Sequence, residues 1–472
     1  MNQVAKKRFF ENVAIIDIAE EGKGVGKSDD FVLFVDNAVP GDVADIAVYR
    51  SKKNFGEGRI AELKQPSEYR IEAFCEHFGT CGGCKWQHMT YAAQLKFKQK
   101  SVEDALTRIA KIDTTGMLPI LPSPADKYYR NKLEYTFSNK RWLNDGENRT
   151  DELLNMNALG FHIPGRFDKI LDINHCYLQA EPSNTLRNGI REFIIKQGYS
   201  FYDLKAHAGA LRNLIIRTSS TGETMVIVVF AYADEEEVNK LMEFINKGFP
   251  EITSLLYIIN QKKNDTIFDQ EVQVYKGRDY IYEEMEGIRF RIGPKSFYQT
   301  NSIQALNLYQ VARDFAGFKG HELVYDLYTG AGTIANFIAK QVREVIGIEY
   351  VPSAIEDAKI NSEINNITNT KFFAGDMKDV LSDVFVALHG KPDVIITDPP
   401  RAGMHPDVVN RLMQIEAEKI IYVSCNAATQ ARDLLVLKEK YNTVKIQPVD
   451  MFPHTQHVEN VVLLVLRSEI RG

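Results

Sequence analysis

From about residue 290 to its end the chain alternates short apolar runs with helical stretches, and this alternation restricts the fold more than any other feature. The runs are Leu323–Leu327, Val345–Glu349, Thr370–Ala374, Asp393–Thr397, Lys419–Ser424, Lys445–Val449 and Val461–Leu466, with one helix pattern starting at Ser353 and another after Ser424. Such an order predicts a doubly wound, Rossmann-like α/β domain over residues 286–472. At about 150 residues per domain, 472 residues leave room for two further units. Residues 1–65 carry short alternating runs (Asn12–Ile18, Phe31–Val35, Val43–Tyr49) broken by Gly22, Gly24, Gly26, Pro40 and Gly41, as in a small OB-like β-barrel. Residues 66–285 mix strands (Arg212–Arg217, Met225–Ala231, Leu255–Ile259) with helices, including an amphipathic one over Glu235–Gly248. A helix is expected over 90–111, capped by Thr90, with Leu95, Val102, Leu106 and Ile109 inward and Lys96, Lys98, Lys100, Arg108 and Lys111 decorating it. The fold class is therefore α/β multidomain.

The first glycine turn of the α/β part points to a ligand. Val324–Gly332 reads VYDLYTGAG: an apolar strand ends at Asp326, then Gly330 and Gly332 let the backbone approach a bound molecule. The second strand ends in Glu349, where an acid can hold a ribose diol. Ala335 and Asn336 break the three-glycine pyrophosphate fingerprint, which disfavours a dinucleotide and favours S-adenosylmethionine. Asp376 follows the third strand, placed for an adenine amino group, and Asp398-Pro399-Pro400 ends the fourth. Singly, each acid is equally a capping or surface carboxylate; in this order they define a methyl-donor site.

Two further residues carry reactive chemistry. Ile420–Asn426 reads IIYVSCN and sets Cys425 at the same sheet edge as Asp398. A cysteine after an apolar strand is more often a core residue, but that position favours a reactive thiol. Met451–Glu459 reads MFPHTQHVE and leads into VVLLVL, placing Glu459 where burial would make it a better base. Pyrimidine C5 is a poor nucleophile. A thiolate adding at C6 makes it nucleophilic, and a base must then remove the C5 proton. Cys425 and Glu459 are the candidates.

The stretches FYQTN (Phe297–Asn301), DLYTGAG, IGIE, TDPPRAG (Thr397–Gly403), YVSCN and MFPHTQHVE occur in one order over about 170 residues, and with them the chain resembles the RNA uracil-C5-methyltransferase family. The resemblance implies a class I S-adenosylmethionine domain, Cys425 as nucleophile, Glu459 as base, and Gln299, Tyr328, Glu349 and Asp398 around the methyl donor. Thr329 and Ala427 depart from the family pattern, at positions expected to carry no chemistry. DPPRAG lacks the second cysteine of RNA cytosine-C5 enzymes, so uracil is the expected base.

Five cysteines, an odd number, in a chain whose start has no apolar segment behind its basic residues argue against disulfides and for a cytoplasmic protein. Cys75, Cys81 and Cys84 are spaced C-x5-C-x2-C, with Cys176 far downstream. Four thiolates suit a cluster or zinc; a single CxxC favours iron–sulfur, and the resemblance implies a 4Fe-4S cluster on these four. His77, His88 and His175 nearby are read as ordinary loop histidines.

A formal charge of −6 does not advertise a nucleic-acid binder, so any RNA footprint must be local. Candidates are Tyr49–Lys53 with Arg59, and Lys127-Tyr128-Tyr129-Arg130-Asn131-Lys132 with Lys140 and Arg141; both are equally solvated charged faces, the second with core tyrosines. The resemblance makes the N-terminal barrel a TRAM domain and implies 5-methyluridine formation in RNA, with 23S rRNA the first expectation and tRNA the alternative. A target uracil would have to leave its stack. A non-catalytic ribosome-assembly factor on the same scaffold would have lost Cys425 or Glu459. The longest apolar runs, such as Met225–Ala233, are about half a bilayer crossing, so no membrane partner is expected, and the chain is expected to be a monomer.

Overall fold

The structure is a computed structural model that describes residues 8–19, 21–144, 146, 147 and 154–467; the chain start on which the reading of no export signal rests lies partly outside this set. Five strands, β1 (Phe9–Ile18), β2 (Gly24–Ser28), β3 (Phe31–Asp36), β4 (Val43–Ser51) and β5 (Phe55–Gln65), close into a barrel in the order β1-β2-β3-β5-β4. Closure leaves no free edge, and the alternating Val13, Ile15, Leu33, Val35, Ala44, Ile46 and Val48 fill the interior. Gly58 is required where β5 crosses β4: a Cβ there would lie 2.7 Å from Ile46.

The barrel is fastened to the cysteine segment. The Trp86 indole donates to the Gly22 carbonyl at 3.1 Å, and buried Asp42 accepts from Arg70 and from the amides of Val39 and Ser67. A helix follows at Tyr91–Ala105, and Leu106–Ala110 winds on as a π-turn. Thr90 precedes this helix as expected, but its side chain makes no capping hydrogen bond. Two other expectations fail there. Ile109 is 39% exposed, because the π-turn rotates it out of the apolar stripe, and Lys98 is fully buried against Asp450 rather than solvated.

A seven-stranded sheet fills the middle: β6 (Lys132–Ser138), β7 (Ala158–Ile163), β8 (Arg166–Asp172), β9 (Leu211–Thr218), β10 (Thr224–Phe230), β11 (Ser254–Ile259) and β12 (Val272–Gly277), in the order β12-β11-β10-β9-β6-β7-β8. The helices Ser183–Gln197 and Glu235–Gly248 cover one face through Leu186, Ile190, Leu241 and Ile245. The other face, through Ile215, Met225, Ile227 and Leu256, enters a core shared with Leu308, Val324, Ile396 and Val423 further along the chain. The central and C-terminal sheets are thus packed against common apolar material.

After a hairpin of β13 (Ile281–Met285) and β14 (Ile288–Ile292), the C-terminal sheet comprises β15 (Leu323–Leu327), β16 (Glu344–Glu349), β17 (Thr370–Ala374), β18 (Val394–Thr397), β19 (Lys419–Ser424), β20 (Tyr441–Val449) and β21 (Glu459–Leu466). Its order is β17-β16-β15-β18-β19-β21-β20, parallel except for β21 against its two neighbours. Successive residues alternate between two covered faces: Val324, Val345 and Ile396 on one, Tyr325, Ile346 and Ile395 on the other. Each such side chain contributes about 1.5–3 kcal/mol on burial, which fixes the register. The predicted α/β order is therefore observed, and the strand order reverses between β15 and β18, where ligands bind in such sheets. Among the described residues no helix is long and apolar enough to cross a membrane.

Candidate active site

The carboxyl ends of β15, β16, β18 and β19 and the start of β21 bring the predicted residues into two adjoining groups. The first surrounds the glycine turn. Tyr328 and Gly330 both hold positive φ, at 63° and 54°, and nothing would meet a Cβ built on Gly330. This is open, left-handed backbone of the kind a ligand can lie against. Glu349 is aimed at the turn: one carboxylate oxygen accepts the Gly330 amide at 3.1 Å and the other the Val351 amide at 2.9 Å. Tyr328 lies within the fields of Asp433, Asp376 and Glu349 and is pushed up to about 12, mainly by burial. Asp376 caps the short helix after β17, accepting the Lys378 amide.

The second group is reactive. Cys425 is half-buried at the end of β19, and its thiol is pushed up to about 11 by burial, then by the Glu459 and Asp398 carboxylates, against the pull of Arg401. Glu459, 5% exposed at the first position of β21, is pushed up to about 8 by burial and by Asp398, again opposed by Arg401. Asp398 is pushed up to about 7 by burial and by Asp326. A thiol and two carboxyls therefore share one poorly solvated centre, with the exposed Arg401 guanidinium at its edge. The carboxyls are held near the pH at which they exchange protons, which is the property an acid–base site needs.

Local structure explains the placement. Asn426 caps the helix Ala427–Leu437 by accepting the Ala428 and Thr429 amides, which ends β19 abruptly and leaves Cys425 in the turn. The Asn426 and Thr429 side chains also donate to the Arg401 carbonyl, fixing the segment after Asp398. Gln299 is half-buried, with its carbonyl accepting from Asn131 Nδ2 at 2.9 Å; its segment leads into the helix Ser302–Ala316, whose Tyr309 lies within the fields of Asp398, Tyr298, Asp326 and Glu459.

Three further residues belong to the site although the sequence motifs assign them no role. Asp326 is buried, is pushed up to about 7 by burial, and has one carboxyl oxygen without a partner. The other accepts from the Thr329 hydroxyl and the Ala335 amide. Tyr309 is buried over the same acids. Arg401 is the cation facing Cys425 and Glu459, and its guanidinium sits 3.1 Å from His457 Nδ1. An acid inside VYDL and the single cation of TDPPRAG were the available signals.

The other cysteines lie together but not in contact range for a metal. Burial pushes Cys81 up to about 12 and Cys84 up to about 11, and each of these thiols also lies in the field of Cys176 and Cys75. Among the described residues, however, no three His, Cys, Asp or Glu side chains converge tightly enough to hold an ion. His77 joins the two cysteine segments by accepting the Asn174 amide at 3.1 Å.

The proposed RNA clusters divide. Tyr128 is 43% exposed, and Lys127 lies 4.0 Å over the Phe74 ring. Tyr129 and Asn131 are buried and structural: the Tyr129 hydroxyl donates to the Pro453 carbonyl, and Asn131 donates to Gln299 and Ser302. Lys140 and Arg141 are paired with Asp203 and Glu147. On the barrel, Tyr49 is 54% exposed but Arg50 is paired with Glu57.

The sequence matches a family model described as tRNA (Uracil-5-)-methyltransferase over residues 260–467 and a TRAM domain model over residues 11–61. An uncharacterized RNA methyltransferase of Bacteroides thetaiotaomicron is 58% identical across 95% of this chain and all of its own length. Another of Porphyromonas gingivalis is 55% identical across 96% and 100%. Among solved structures, the Pyrococcus abyssi tRNA (uracil-54, C5)-methyltransferase in complex with S-adenosyl-L-homocysteine superposes with a TM-score of 0.74 at 29% identity, over 96% of this chain and 99% of its own. The chain belongs to the tRNA (uracil-5-)-methyltransferase family: it is an S-adenosylmethionine-dependent RNA (uracil-C5)-methyltransferase with an N-terminal TRAM domain.

Proposed function

We propose that the chain makes 5-methyluridine in RNA with Cys425 as nucleophile and Glu459 as general base, and that its first substrate is 23S rRNA. The observation that carries the chemistry is the shared field of Cys425, Glu459, Asp398 and Arg401 at one sheet edge. Cys425, once its thiol proton has passed to solvent, adds as the thiolate to C6 of a flipped-out uracil, and the electron pair of the 5,6 double bond moves onto C5 and O4. S-adenosylmethionine, a sulfonium cation, supplies the methyl group to C5. Glu459 takes the C5 proton, the electrons of the broken C–H bond restore the double bond, and the Cys425 thiolate leaves. Glu349 suits the ribose diol of the donor, Tyr328 and Gln299 suit its walls, and Asp398, with Asp326 behind it, offers negative charge near the sulfonium. That cation would lower the pKa of both acids.

Cys75, Cys81, Cys84 and Cys176 suit a 4Fe-4S cluster: four soft donors from two segments, within each other's fields, with Arg130 and Arg187 nearby to offset their negative charge. Bound there, a cluster would staple the segment after the barrel to the central sheet.

Transfer RNA is the second reading, favoured by the likeness to the Pyrococcus abyssi tRNA (uracil-54, C5)-methyltransferase. Because that likeness spans nearly the whole chain, domain organisation alone does not separate the two substrates. Nucleosides from 23S rRNA and tRNA, digested separately from cells with and without the gene, decide it by mass spectrometry. Loss of 5-methyluridine from the 23S fraction alone is expected; loss from tRNA alone would keep the chemistry and overturn the substrate.

A further inference from the structure

The loop Asp450–Val458, between β20 and β21, runs from a buried ion pair to the proposed base and is tethered along its length. At its start, Lys98 Nζ lies 2.6 Å from Asp450 Oδ1 with both side chains fully buried, and also donates to the Phe452 carbonyl at 3.0 Å. The Tyr91 hydroxyl donates to the other Asp450 oxygen at 2.9 Å. Asn301 holds the Met451 carbonyl and Tyr129 the Pro453 carbonyl, each at 2.9 Å.

At its middle, His454 takes a φ of 63°, a conformation that a side-chain-bearing residue keeps only where its surroundings over-determine it. Here they do. The His454 amide donates to Gln94 Oε1 at 2.8 Å, and its carbonyl accepts the amides of Lys85 at 2.8 Å and Trp86 at 3.0 Å. Gln94 is itself locked, its Nε2 donating to the Trp86 and Met89 carbonyls. At its end, His457 meets Arg401, the cation that faces both Cys425 and Glu459, and two residues later β21 begins with Glu459.

Gln94 and Lys98 direct their hydrogen bonds to this loop and its supports, on the side of the chain that follows Cys84. We propose that they are positioning residues for the proton-abstraction step: by fixing the loop they hold the His457–Arg401 contact and the Glu459 carboxyl in register with the uracil bound at Cys425. The inference rests on the assignment of Glu459 as base. In that step the C5–H bond breaks, the proton goes to Glu459, and the electron pair expels the Cys425 thiolate. Addition at C6 and methyl transfer need Cys425 and the donor site, which lie outside the loop, and Arg401 beside Cys425 keeps its backbone held by Asn426 and Thr429 when the loop loosens. Loosening the loop should therefore slow one step of the reaction and spare the others.

The test uses full-length protein, RNA tritiated at uracil C5 and a donor labelled with carbon-14 in its methyl group. Gln94→Ala and the isosteric Gln94→Met are compared with the unaltered protein in single turnovers. The expected result is methyl transfer within about threefold of normal, tritium release slowed by about tenfold or more, and a protein–RNA adduct that persists on a denaturing gel. Methyl transfer and tritium release falling in step, or neither changing, in whichever variant keeps its melting temperature would overturn the proposal. Glu459→Gln run alongside separates the two assignments. If it releases tritium at the normal rate the base assignment itself fails; if it traps the adduct while the Gln94 variants do not, only the positioning role fails.

Discussion

The chain carries two thiol sites built on opposite plans. Cys425 is set on the end of a buried strand in a sheet whose register is locked on both faces, and its acid and cation partners stand on neighbouring strand ends or just beyond. Cys75, Cys81 and Cys84 sit on one irregular segment, and Cys176 lies on another outside any strand. Burial raises the thiols at both places, but the charges that raise them further differ: carboxylates at Cys425, other thiols at Cys81 and Cys84. A site made from strand ends is assembled by folding alone. A site made from loops takes its arrangement from the contacts that pin each loop, as the Asn174 amide donating to His77 pins these two segments together.

Substitutions should expose that contrast. Cys425→Ala should lower 5-methyluridine formation by more than about a thousandfold without changing metal content; retained tritium release from labelled RNA would remove it as nucleophile. Glu459→Gln should slow turnover by about a hundred- to ten-thousandfold and leave a covalent adduct, since addition and methyl transfer precede proton removal. At the loop-built site, anaerobically purified protein should be brown with about four irons per chain, and Cys84→Ala should lose them. Colourless protein with stoichiometric zinc would give the four thiols to zinc instead.

Two smaller effects sharpen the comparison. The proton-abstraction rate should rise with pH through about 8, because Glu459 must be ionised to act and burial holds it protonated below that. A rate flat from pH 6 to 9 would break the link between burial and basicity. Asp398 has a folded pKa of about 7, above its ordinary 3.8. Below that ordinary value the group is protonated in both folded and unfolded chains and costs nothing. As pH rises toward 7 the unfolded chain gains by ionising first, so stability falls. Asp398→Asn should therefore raise the melting temperature by roughly 2–4 °C at pH 8 and hardly at all at pH 4, while lowering activity. A loss of stability at pH 8 would mean that the carboxylate is held by favourable contacts after all.

The motif residues were legible because their chemistry is local. TDPPRAG, YVSCN and HVE each join a strand end to a turn, and a strand end in a doubly wound sheet faces the ligand edge. Lys98 was not legible. Its neighbours in sequence place it among solvated lysines, and its partner Asp450 lies 352 residues away. Ile109 failed for a similar reason, since a π-turn at Leu106–Ala110 breaks the helical period by which it was assigned inward. In Lys127–Lys132, composition could not distinguish exposed Tyr128 from buried Tyr129, which differ only in what lies above them.

The sequence by itself determined the layers: a barrel, a central α+β region and a parallel sheet with its acids, glycines and one thiol at the carboxyl edge. Those follow from the periods of apolar residues and the conformational demands of turns, which act over a few residues. Only the tertiary structure decided that the central and C-terminal sheets share a core, that Arg401 faces Cys425 and Glu459, and that a lysine from the first helix is buried beneath the loop leading to Glu459. These rest on burial and on partners far apart in the chain. Burial sets the cost of a charge and therefore its pKa, and no local pattern of residues records how deeply a side chain will be covered.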